Sequence, residues 1–98
     1  MGYDYDMIES IRHKGLRDFF TSGSRAGIQG KHASRLRLIL ARLNAARDPK
    51  DMDLPGLRLH KMFGNLEGFL SVEISGNWRV IFRFEGQDVF DVDYLDYH

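Results

Sequence analysis

The fold is decided by the last third of the chain, residues 68–98, which read GFLSVEISGNWRVIFRFEGQDVFDVDYLDYH. Apolar and polar side chains alternate there in three runs, separated by Gly76-Asn77 and Glu85-Gly86. Such period-two alternation is typical of strands that bury one face. The apolar positions of the three runs are Leu70, Val72 and Ile74; Trp78, Val80, Phe82 and Phe84; and Phe90, Val92 and Tyr94. We therefore predict three consecutive antiparallel strands joined by short turns.

The choice of turn length sets which residues face each other. A two-residue loop at Gly76-Asn77 would place Ile74 opposite Arg79, so three-residue loops are preferred because they keep apolar side chains on one face. The predicted pairs are Ile74 with Trp78, Val72 with Val80, Leu70 with Phe82, Phe82 with Phe90, Val80 with Val92 and Trp78 with Tyr94. Arg79 then lies between Glu73 and Asp93 on the polar face, where we expect the chemistry.

Two helices are predicted before these strands. Residues 15–22 carry apolar side chains at helical spacing and end at Gly23, a usual C-terminal cap. Residues 31–47 form the strongest predicted helix, which Asp48-Pro49 stops. The apolar residues are Leu16, Phe19 and Phe20 in the first helix, and Leu36, Ile39, Leu40, Leu43 and Ala46 in the second. The two helices should form a hairpin that covers the apolar sheet face.

Two further short strands complete the predicted sheet. Met7, Ile8 and Ile11 indicate a first strand, and residues 57–61 indicate another whose leucines point into the core. His60 then falls on the open face near Ser71. We predict an α+β fold of order β-α-α-β-β-β-β, with an N-terminal helical hairpin packed on one face of a single, mainly antiparallel sheet.

Length and composition indicate one globular domain, residues 1–98, with 43% hydrophobic and 29% charged residues. Residues 1–6 lack periodicity and are expected to be an N-terminal extension. The absence of cysteine excludes disulfides and thiolate metal sites, which fits a reducing compartment. No apolar run is long enough to span a membrane and no secretory signal begins the chain. We therefore expect a cytoplasmic protein without a membrane partner.

Charge is unevenly distributed although the formal net charge is zero. Residues 10–47 contain nine Lys and Arg residues against the single acid Asp18, whereas residues 85–98 contain five acids and no Lys or Arg. A basic lobe of this kind indicates a surface that binds a polyanion or an acidic protein partner. Solvated helix faces are the alternative interpretation.

Several polar side chains are candidates for chemistry. His60 lies on the predicted polar face, and His98 follows an apolar strand that would anchor it, with Asp96 nearby to orient its imidazole. Arg79 is suited to binding a phosphate, or alternatively forms an ordinary cross-strand ion-pair network. His13 and His32 are expected at the surface. No metal-ligand spacing is present, so neither a metal site nor a cofactor is predicted.

Over residues 7–98 the sequence resembles the HigB (killer protein) toxins of bacterial type II toxin–antitoxin systems, within the RelE/ParE superfamily. The resemblance is carried by five segments: Lys14-Gly15-Leu16 with Phe19-Phe20; Lys31-His32-Ala33 followed by residues 35–43; Leu54-Pro55-Gly56-Leu57-Arg58-Leu59-His60; Ser75-Gly76-Asn77-Trp78-Arg79-Val80; and residues 92–98. Their order and their end point at His98 are specific to that family. A RelE-like fold is what the resemblance implies.

The resemblance also implies a function: a ribosome-dependent messenger RNA endonuclease that inhibits translation and arrests growth. It would need no metal ion, and a HigA-type helix-turn-helix antitoxin would neutralise it and bring the complex to operator DNA. The family's catalytic positions correspond to His60, Arg79, Asp96, Tyr97 and His98. RNA binding is expected from Arg58 and Lys61 beside the site and from Lys14, Arg17, Lys31 and Arg35 in the basic lobe.

One departure from the family concerns the loop after Lys61. Members often carry a further basic residue there, where this chain has Met62-Phe63. Two alternative functions keep the same fold: a ParE-like toxin that acts on DNA gyrase without cutting RNA, and a non-catalytic ribosome- or RNA-binding module.

Overall fold

The computed structural model describes residues 8–97. Two α-helices come first, and four strands then form one antiparallel sheet in the order β1-β2-β3-β4. The elements are α1 Lys14–Ser22, α2 Ala33–Ala45, β1 His60–Lys61, β2 Leu70–Ser75, β3 Trp78–Glu85 and β4 Asp88–Asp96, with 3₁₀ turns at Gly30–His32, Pro49–Met52 and Gly64–Leu66. The predicted α+β architecture is confirmed. Within residues 8–97 no helix has the length and apolar character needed to cross a membrane.

Helix α1 has clear signals at both ends. At its start the His13 ring nitrogen Nδ1 accepts a hydrogen bond from the backbone N–H of Leu16 at 3.0 Å. At its end Gly23 has φ of 80°, the left-handed conformation that glycine adopts without strain, and its N–H donates to the Phe19 carbonyl. The helix predicted for residues 15–22 is therefore confirmed.

Helix α2 is shorter than the predicted 31–47. Lys31 and His32 lie in the preceding 3₁₀ turn, and Ala46 is already extended. After the helix, Asp48 caps the next 3₁₀ turn by accepting a hydrogen bond from the Lys50 N–H at 3.0 Å, so the chain turns away before Pro49. The predicted apolar stripe is confirmed, because Leu36, Ile39, Leu40, Leu43 and Ala46 are all buried.

The hydrophobic core lies between the helices and one face of the sheet. The helices contribute their apolar stripes, and the strands contribute Val72, Val80, Phe82, Val89 and Val92 to the same cluster. Arg79 and its neighbour Glu73 lie on the opposite face. Ile81 and Met62 are also buried, outside this main cluster. The helical hairpin thus leaves the polar face of the sheet for the site.

The first strand pair has the predicted register along most of its length. Val72 faces Val80, and Leu70 faces Phe82. The predicted pairing of Ile74 with Trp78 is wrong, because a β-bulge between Glu73 and Ser75 places Ser75 opposite Trp78. The turn is therefore the two-residue Gly76-Asn77, with Gly76 at φ 57°. The bulge absorbs the extra residue, so a short turn does not mix the two faces.

The second strand pair differs more. Its turn is Gly86-Gln87, Phe84 faces Val89, and Arg83 faces Phe90. A bulge between Ile81 and Arg83 then shifts the register, so that Val80 faces Tyr94 and Trp78 faces Asp96. The predicted pairs Phe82–Phe90, Val80–Val92 and Trp78–Tyr94 are wrong. Consequently Arg79 lies between Glu73 and Leu95, not Asp93, which faces Ile81.

The bulge in β4 is centred on Asp91, which has φ of 57°. Its backbone N–H donates to the Ser10 hydroxyl at 2.8 Å, and its carboxylate contacts Arg83 and Arg12. Hydrogen bonding from Arg83 lowers the pKa of Asp91. The bulge moves Phe90 to the open face, where the Arg83 guanidinium lies 5.3 Å from its ring centre.

The predicted first strand is reduced to two isolated bridges. Ile8 pairs with Val89 and Ile11 with Val92, both parallel to β4. Between these two bridges, the Asp91 N–H donates to the Ser10 side chain in place of a regular backbone hydrogen bond of a strand ladder. Both isoleucines are buried, so this segment still contributes to the core. Met7, residues 1–6 and His98 lie outside the described residues.

The strand predicted for residues 57–61 is also shorter, because Arg58 has φ of 54° and interrupts the extended chain. Only His60 and Lys61 pair with β2, His60 facing Ser71 as expected. Leu57 is buried and Leu59 is partly buried against the core. The predicted placement of His60 beside Ser71 is confirmed.

His13 and His32 are not the surface residues that were expected. His32 is only 2% exposed, and its Nδ1 lies 2.7 Å from the Tyr94 hydroxyl oxygen. His13 is half-buried, with its ring edge-on to Tyr94 at 5.1 Å. Burial, together with the charge of Lys31, lowers the pKa of His32. The helical stripe of α2 extends backwards to His32, since residue 32 is one turn before Leu36.

Candidate active site on the open sheet face

The candidate site is a shallow cleft on the open face of the sheet, lined by residues of β1 and β3, which lie on either side of β2. A cavity of about 130 Å³ is lined by His60, Lys61, Met62, Phe63, Arg79 and Tyr97. A second cavity, of about 270 Å³, adjoins it and is lined by Arg58, Leu59, His60, Glu73 and Arg79. His60 and Arg79 belong to both cavities. The structure therefore brings together three of the predicted catalytic positions, His60, Arg79 and Tyr97, with Lys61 and Arg58 beside them.

The strands position the imidazole and the guanidinium. His60 is held by its backbone pairing with Ser71, and its side chain is exposed. Arg79 is only 23% exposed, and its Nη1 lies 3.2 Å from a carboxylate oxygen of Glu73. A guanidinium braced by a carboxylate keeps its remaining N–H donors directed elsewhere. This leaves Arg79 able to contact an anion in the cleft.

Glu73 is the counter-charge of the site. Its carboxylate contacts Arg79 and, at 3.7 Å, the Nε of Arg58. With Lys61 added, the two cavities are lined by three permanent cations and one carboxylate. The cleft is therefore positive overall, which favours a phosphate group.

Tyr97, the last residue that the structure describes, is held in the same region. The backbone N–H of Tyr97 donates to the Asn77 carbonyl in the β2–β3 turn at 2.8 Å, and Asp96 faces Trp78 as the last residue of β4. Tyr97 is 43% exposed and lines the smaller cavity. The predicted site residue Asp96 is exposed and is not among the residues that line it. The predicted site residue His98 lies beyond the described part of the chain.

Of the basic lobe residues, Arg35 has a role that the sequence did not reveal. Its Nε donates to the Glu73 carbonyl at 3.1 Å, and one Nη donates to the Gly56 carbonyl. It thereby ties α2 to β2 and to the turn before β1, directly behind the ion pair of the site. Its guanidinium thus makes structural contacts inside the fold.

Lys14, Arg17 and Lys31 belong to the helical layer and are exposed. Lys14 contacts Asp18 one turn later at 2.9 Å, and this hydrogen bond lowers the pKa of Asp18. None of the three lines the two cavities at His60. Among residues 8–97, no three His, Asp or Glu side chains are grouped so as to hold a metal ion.

An aromatic cluster lies behind the site, and sequence reasoning missed one member of it, the buried His32. Trp78 precedes Arg79 in β3, and its ring lies 4.8 Å from that of Tyr94 and 5.5 Å from that of His32. The Tyr94 hydroxyl accepts a hydrogen bond from the Gln29 N–H at 3.2 Å, and burial raises the pKa of Tyr94. This cluster supports the strand that carries Arg79.

Comparison with known proteins identifies the family. The model of the HigB-like toxin family, described as the RelE-like toxin of the type II toxin–antitoxin system HigB, matches residues 9–98. The chain is 32% identical over 92 residues to the endoribonuclease HigB of Proteus vulgaris, an alignment that covers 94% of this chain and 100% of that protein. The chain belongs to the HigB-like family of RelE-like toxins of type II toxin–antitoxin systems.

Proposed function

We propose that this toxin is an endoribonuclease that cleaves messenger RNA on the ribosome and thereby inhibits translation. The single observation that carries the proposal is the convergence of His60, Arg79, Lys61 and Tyr97 on one positively charged cleft. The relative from Proteus vulgaris, 32% identical over its whole length, is named an endoribonuclease. A groove that combines cations, an imidazole and an aromatic ring suits the backbone and bases of single-stranded RNA.

The proposed reaction uses the substrate's own 2′-hydroxyl as nucleophile. Attack on the adjacent phosphorus forms a 2′,3′-cyclic phosphate and breaks the bond to the 5′ oxygen, which takes up a proton and leaves as a 5′-hydroxyl. One proton must therefore be removed from the 2′ oxygen and one supplied to the 5′ oxygen. His60 and the predicted partner His98 would carry out these transfers, since imidazoles exchange protons near neutral pH.

Arg79 would stabilise the negative charge that develops on the phosphate oxygens. Its Nη1 contact with Glu73 holds the guanidinium in place, and Lys61 at the cavity wall would add a second cation. Asp96 would orient His98, and Tyr97 would stack on a base or order the chain end. Since these residues supply the proton transfers and the charge, the proposed mechanism has no step that requires a metal ion or cofactor.

The proposed partners follow from this role. A type II toxin has a cognate antitoxin, and we propose a HigA-type helix-turn-helix protein that brings the complex to operator DNA. The exposed cations Lys14, Arg17 and Lys31 would contact ribosomal RNA or acidic groups of that antitoxin. Arg58 would contact the message at the edge of the cleft. We therefore propose that the protein acts in the bacterial cytoplasm, where translating ribosomes are found.

Mapping of RNA ends in a purified translation reaction tests the proposal. Wild-type toxin should produce discrete cuts with 5′-hydroxyl ends, and His60→Ala should lower the cleavage rate by about 100-fold or more. Gln87→Ala, in the exposed β3–β4 turn, is the matched control and should cut normally. Equal cutting of free RNA would remove the ribosome requirement. Growth arrest with DNA damage signalling and no cuts would instead favour action on gyrase, and equal translational inhibition by His60→Ala would favour a non-catalytic module.

A further inference from the structure

Phe63 has an unusual degree of exposure for an aromatic residue. Its side chain is 70% exposed, compared with 45% for Leu38 and 43% for Tyr97, the other large hydrophobic residues exposed in the described part of the chain. It stands at the rim of the cleft that contains His60 and Arg79, with its ring 6.5 Å from the His60 ring in an edge-on arrangement. An aromatic ring that is exposed at the rim of such a cleft is available to contact a bound ligand.

The exposure is imposed by the loop that follows β1. The Met62 N–H donates to the Phe69 carbonyl at 2.9 Å and closes the loop, and Met62 itself is buried. Phe63 is extended and begins the 3₁₀ turn Gly64–Leu66, with its carbonyl accepting a hydrogen bond from the Leu66 N–H. The backbone on both sides of Phe63 is thus hydrogen-bonded in a way that presents the ring outward.

Phe63 also separates two clefts. On one side is the cavity with His60, Arg79 and Tyr97. On the other is a larger one of about 510 Å³, whose walls include Phe69, Leu70 and Phe84. Lys61, Met62 and Phe63 line both. A phosphate bound beside Lys61 and Arg79 would therefore have an apolar space immediately across the Phe63 ring.

The chemistry of the larger cleft suits a nucleobase better than a phosphate. Its aromatic and aliphatic walls offer flat apolar contact, and the carboxylate of Glu67 in its lining opposes the charge of Lys61 there, so the cleft does not favour a second phosphate. The same carboxylate is able to accept a hydrogen bond from an exocyclic amino group. Bases stack on exposed aromatic rings with little dependence on their identity.

We infer that Phe63 is the stacking surface for a nucleobase next to the scissile phosphate, with the apolar cleft behind it as the base's subsite. This inference rests on the proposed ribonuclease function and adds a substrate-binding residue to it. Where a basic side chain after Lys61 would contribute a phosphate contact, Phe63 contributes an aromatic face. The RNA would then be held by Lys61 and Arg79 through its backbone and by Phe63 through a base.

The test compares three substitutions at this position, Phe63→Tyr, Phe63→Leu and Phe63→Ala, in the translation reaction described above. Tyrosine keeps the ring and should cut within about twofold of wild type. Leucine keeps the apolar bulk but loses the ring, and alanine loses both. Each should lower kcat/KM by about 5- to 150-fold, which corresponds to the free energy of stacking one base on an aromatic side chain. Leu38→Ala, an exposed apolar residue on α2, is the matched control and should cut normally.

The possible results separate the two proposals. If Phe63→Leu or Phe63→Ala cuts like wild type, or if Phe63→Tyr fails as badly as alanine, stacking on Phe63 is wrong while the nuclease assignment stands. An equal loss in Leu38→Ala would likewise overturn it. If wild-type toxin cuts no better than His60→Ala, the ribonuclease proposal fails and this inference fails with it. Thermal melting of each variant checks folding, and the tyrosine variant preserves the test if the smaller side chains alter the loop.

Discussion

His32 and Tyr94 are joined in the protein interior by a 2.7 Å contact between the imidazole Nδ1 and the phenol oxygen. The same oxygen accepts a hydrogen bond from the Gln29 N–H, so both contacts of the Tyr94 hydroxyl are explained if it donates its own proton to Nδ1. The ring proton of His32 is then on Nε2, which has no hydrogen-bond partner within residues 8–97. His32 is therefore held neutral, in keeping with its lowered pKa.

This arrangement predicts a dependence of stability on pH. Below the ordinary histidine pKa of 6.5 the unfolded chain binds a proton at His32 while the folded protein does not. The free energy of unfolding should therefore be constant from this source above pH 6.5 and fall below it, by at most about 1.4 kcal/mol per pH unit, until the folded pKa is reached. His32→Gln should show a shallower fall in urea unfolding between pH 5 and 6.5. The same slope in both proteins would contradict the neutral, buried assignment.

Arg79→Lys tests the need for a planar guanidinium. Lysine keeps the charge opposite Glu73 but cannot brace one donor on the carboxylate while directing two others at a phosphate. We expect the cleavage rate to fall by at least about tenfold, and by about 100-fold or more in Arg79→Ala. Arg47→Lys, an exposed position near the end of α2, is the control. Full activity of Arg79→Lys would mean that charge alone is sufficient.

Arg35 is predicted to stabilise the fold through its two bonds to the Glu73 and Gly56 carbonyls. A lysine cannot reach both, so Arg35→Lys should lower the free energy of unfolding by about 1–3 kcal/mol. Lys31→Ala, which removes an exposed cation of the same lobe, should leave stability within about 0.5 kcal/mol of wild type. Chemical denaturation distinguishes the two. If Arg35→Lys is as stable as wild type, the two hydrogen bonds of Arg35 do not stabilise the fold.

The contact between Gly15 and Gly27 predicts a position where no side chain is tolerated. A Cβ atom added to Gly15 would lie 2.3 Å from the Gly27 carbonyl oxygen, which is backbone and cannot rotate away. Gly15→Ala should therefore cost about 1–3 kcal/mol through separation of α1 from the loop before α2. Gly30→Ala is the control, since its nearest neighbour is an Arg25 side chain at 3.7 Å. Equal melting temperatures for the two variants would show that the loop adjusts freely.

The bulge at Asp91 predicts an ordering among substitutions. Asparagine tolerates the left-handed conformation and should keep the bulge, losing only the negative charge that faces Arg83 and Arg12. Valine is β-branched and should lower stability further, by about 1–3 kcal/mol relative to asparagine. Urea unfolding of Asp91→Asn and Asp91→Val measures the difference. If valine proved as stable as asparagine, the positive φ would not be an essential feature of β4.

The sequence was most informative where side-chain periodicity alone determines structure. The apolar stripe of α2 and the pairing of Val72 with Val80 were predicted correctly, because in each case a single arrangement keeps the apolar side chains on one face. The second hairpin was not, since Val89 and Phe90 are adjacent apolar residues and either is able to face the core. Val89 faces the core because of the bulge at Asp91, whose backbone N–H donates to Ser10, a residue 81 positions away. Long-range contacts of this kind leave no trace in local spacing.

The site shows the same division. Resemblance and strand alternation placed His60 and Arg79 together, and the structure has both in one cleft. The contacts of Arg35 could not be predicted from the sequence, because the Glu73 and Gly56 carbonyls that it binds are backbone atoms that any sequence would provide. For His32 a signal existed, since helical spacing from Leu36 and Ile39 leads back to it. His32 was nevertheless expected at the surface because its side chain is polar, although its place in the stripe indicates a buried position.

The segment containing Ile8 and Ile11 also affects how another molecule is able to approach the sheet. Its backbone already donates to Val89 and Val92 along the outer side of β4, and at the other side the Leu57 carbonyl accepts from Glu73 beyond the end of β1. Over these stretches the outward-facing amides and carbonyls are occupied by the chain itself. A neutralising peptide that sought to add a strand at the outer side of β4, or at Glu73 beyond the end of β1, would first have to displace one of these native segments, whereas a helix laid across the outer surface would meet no such competition.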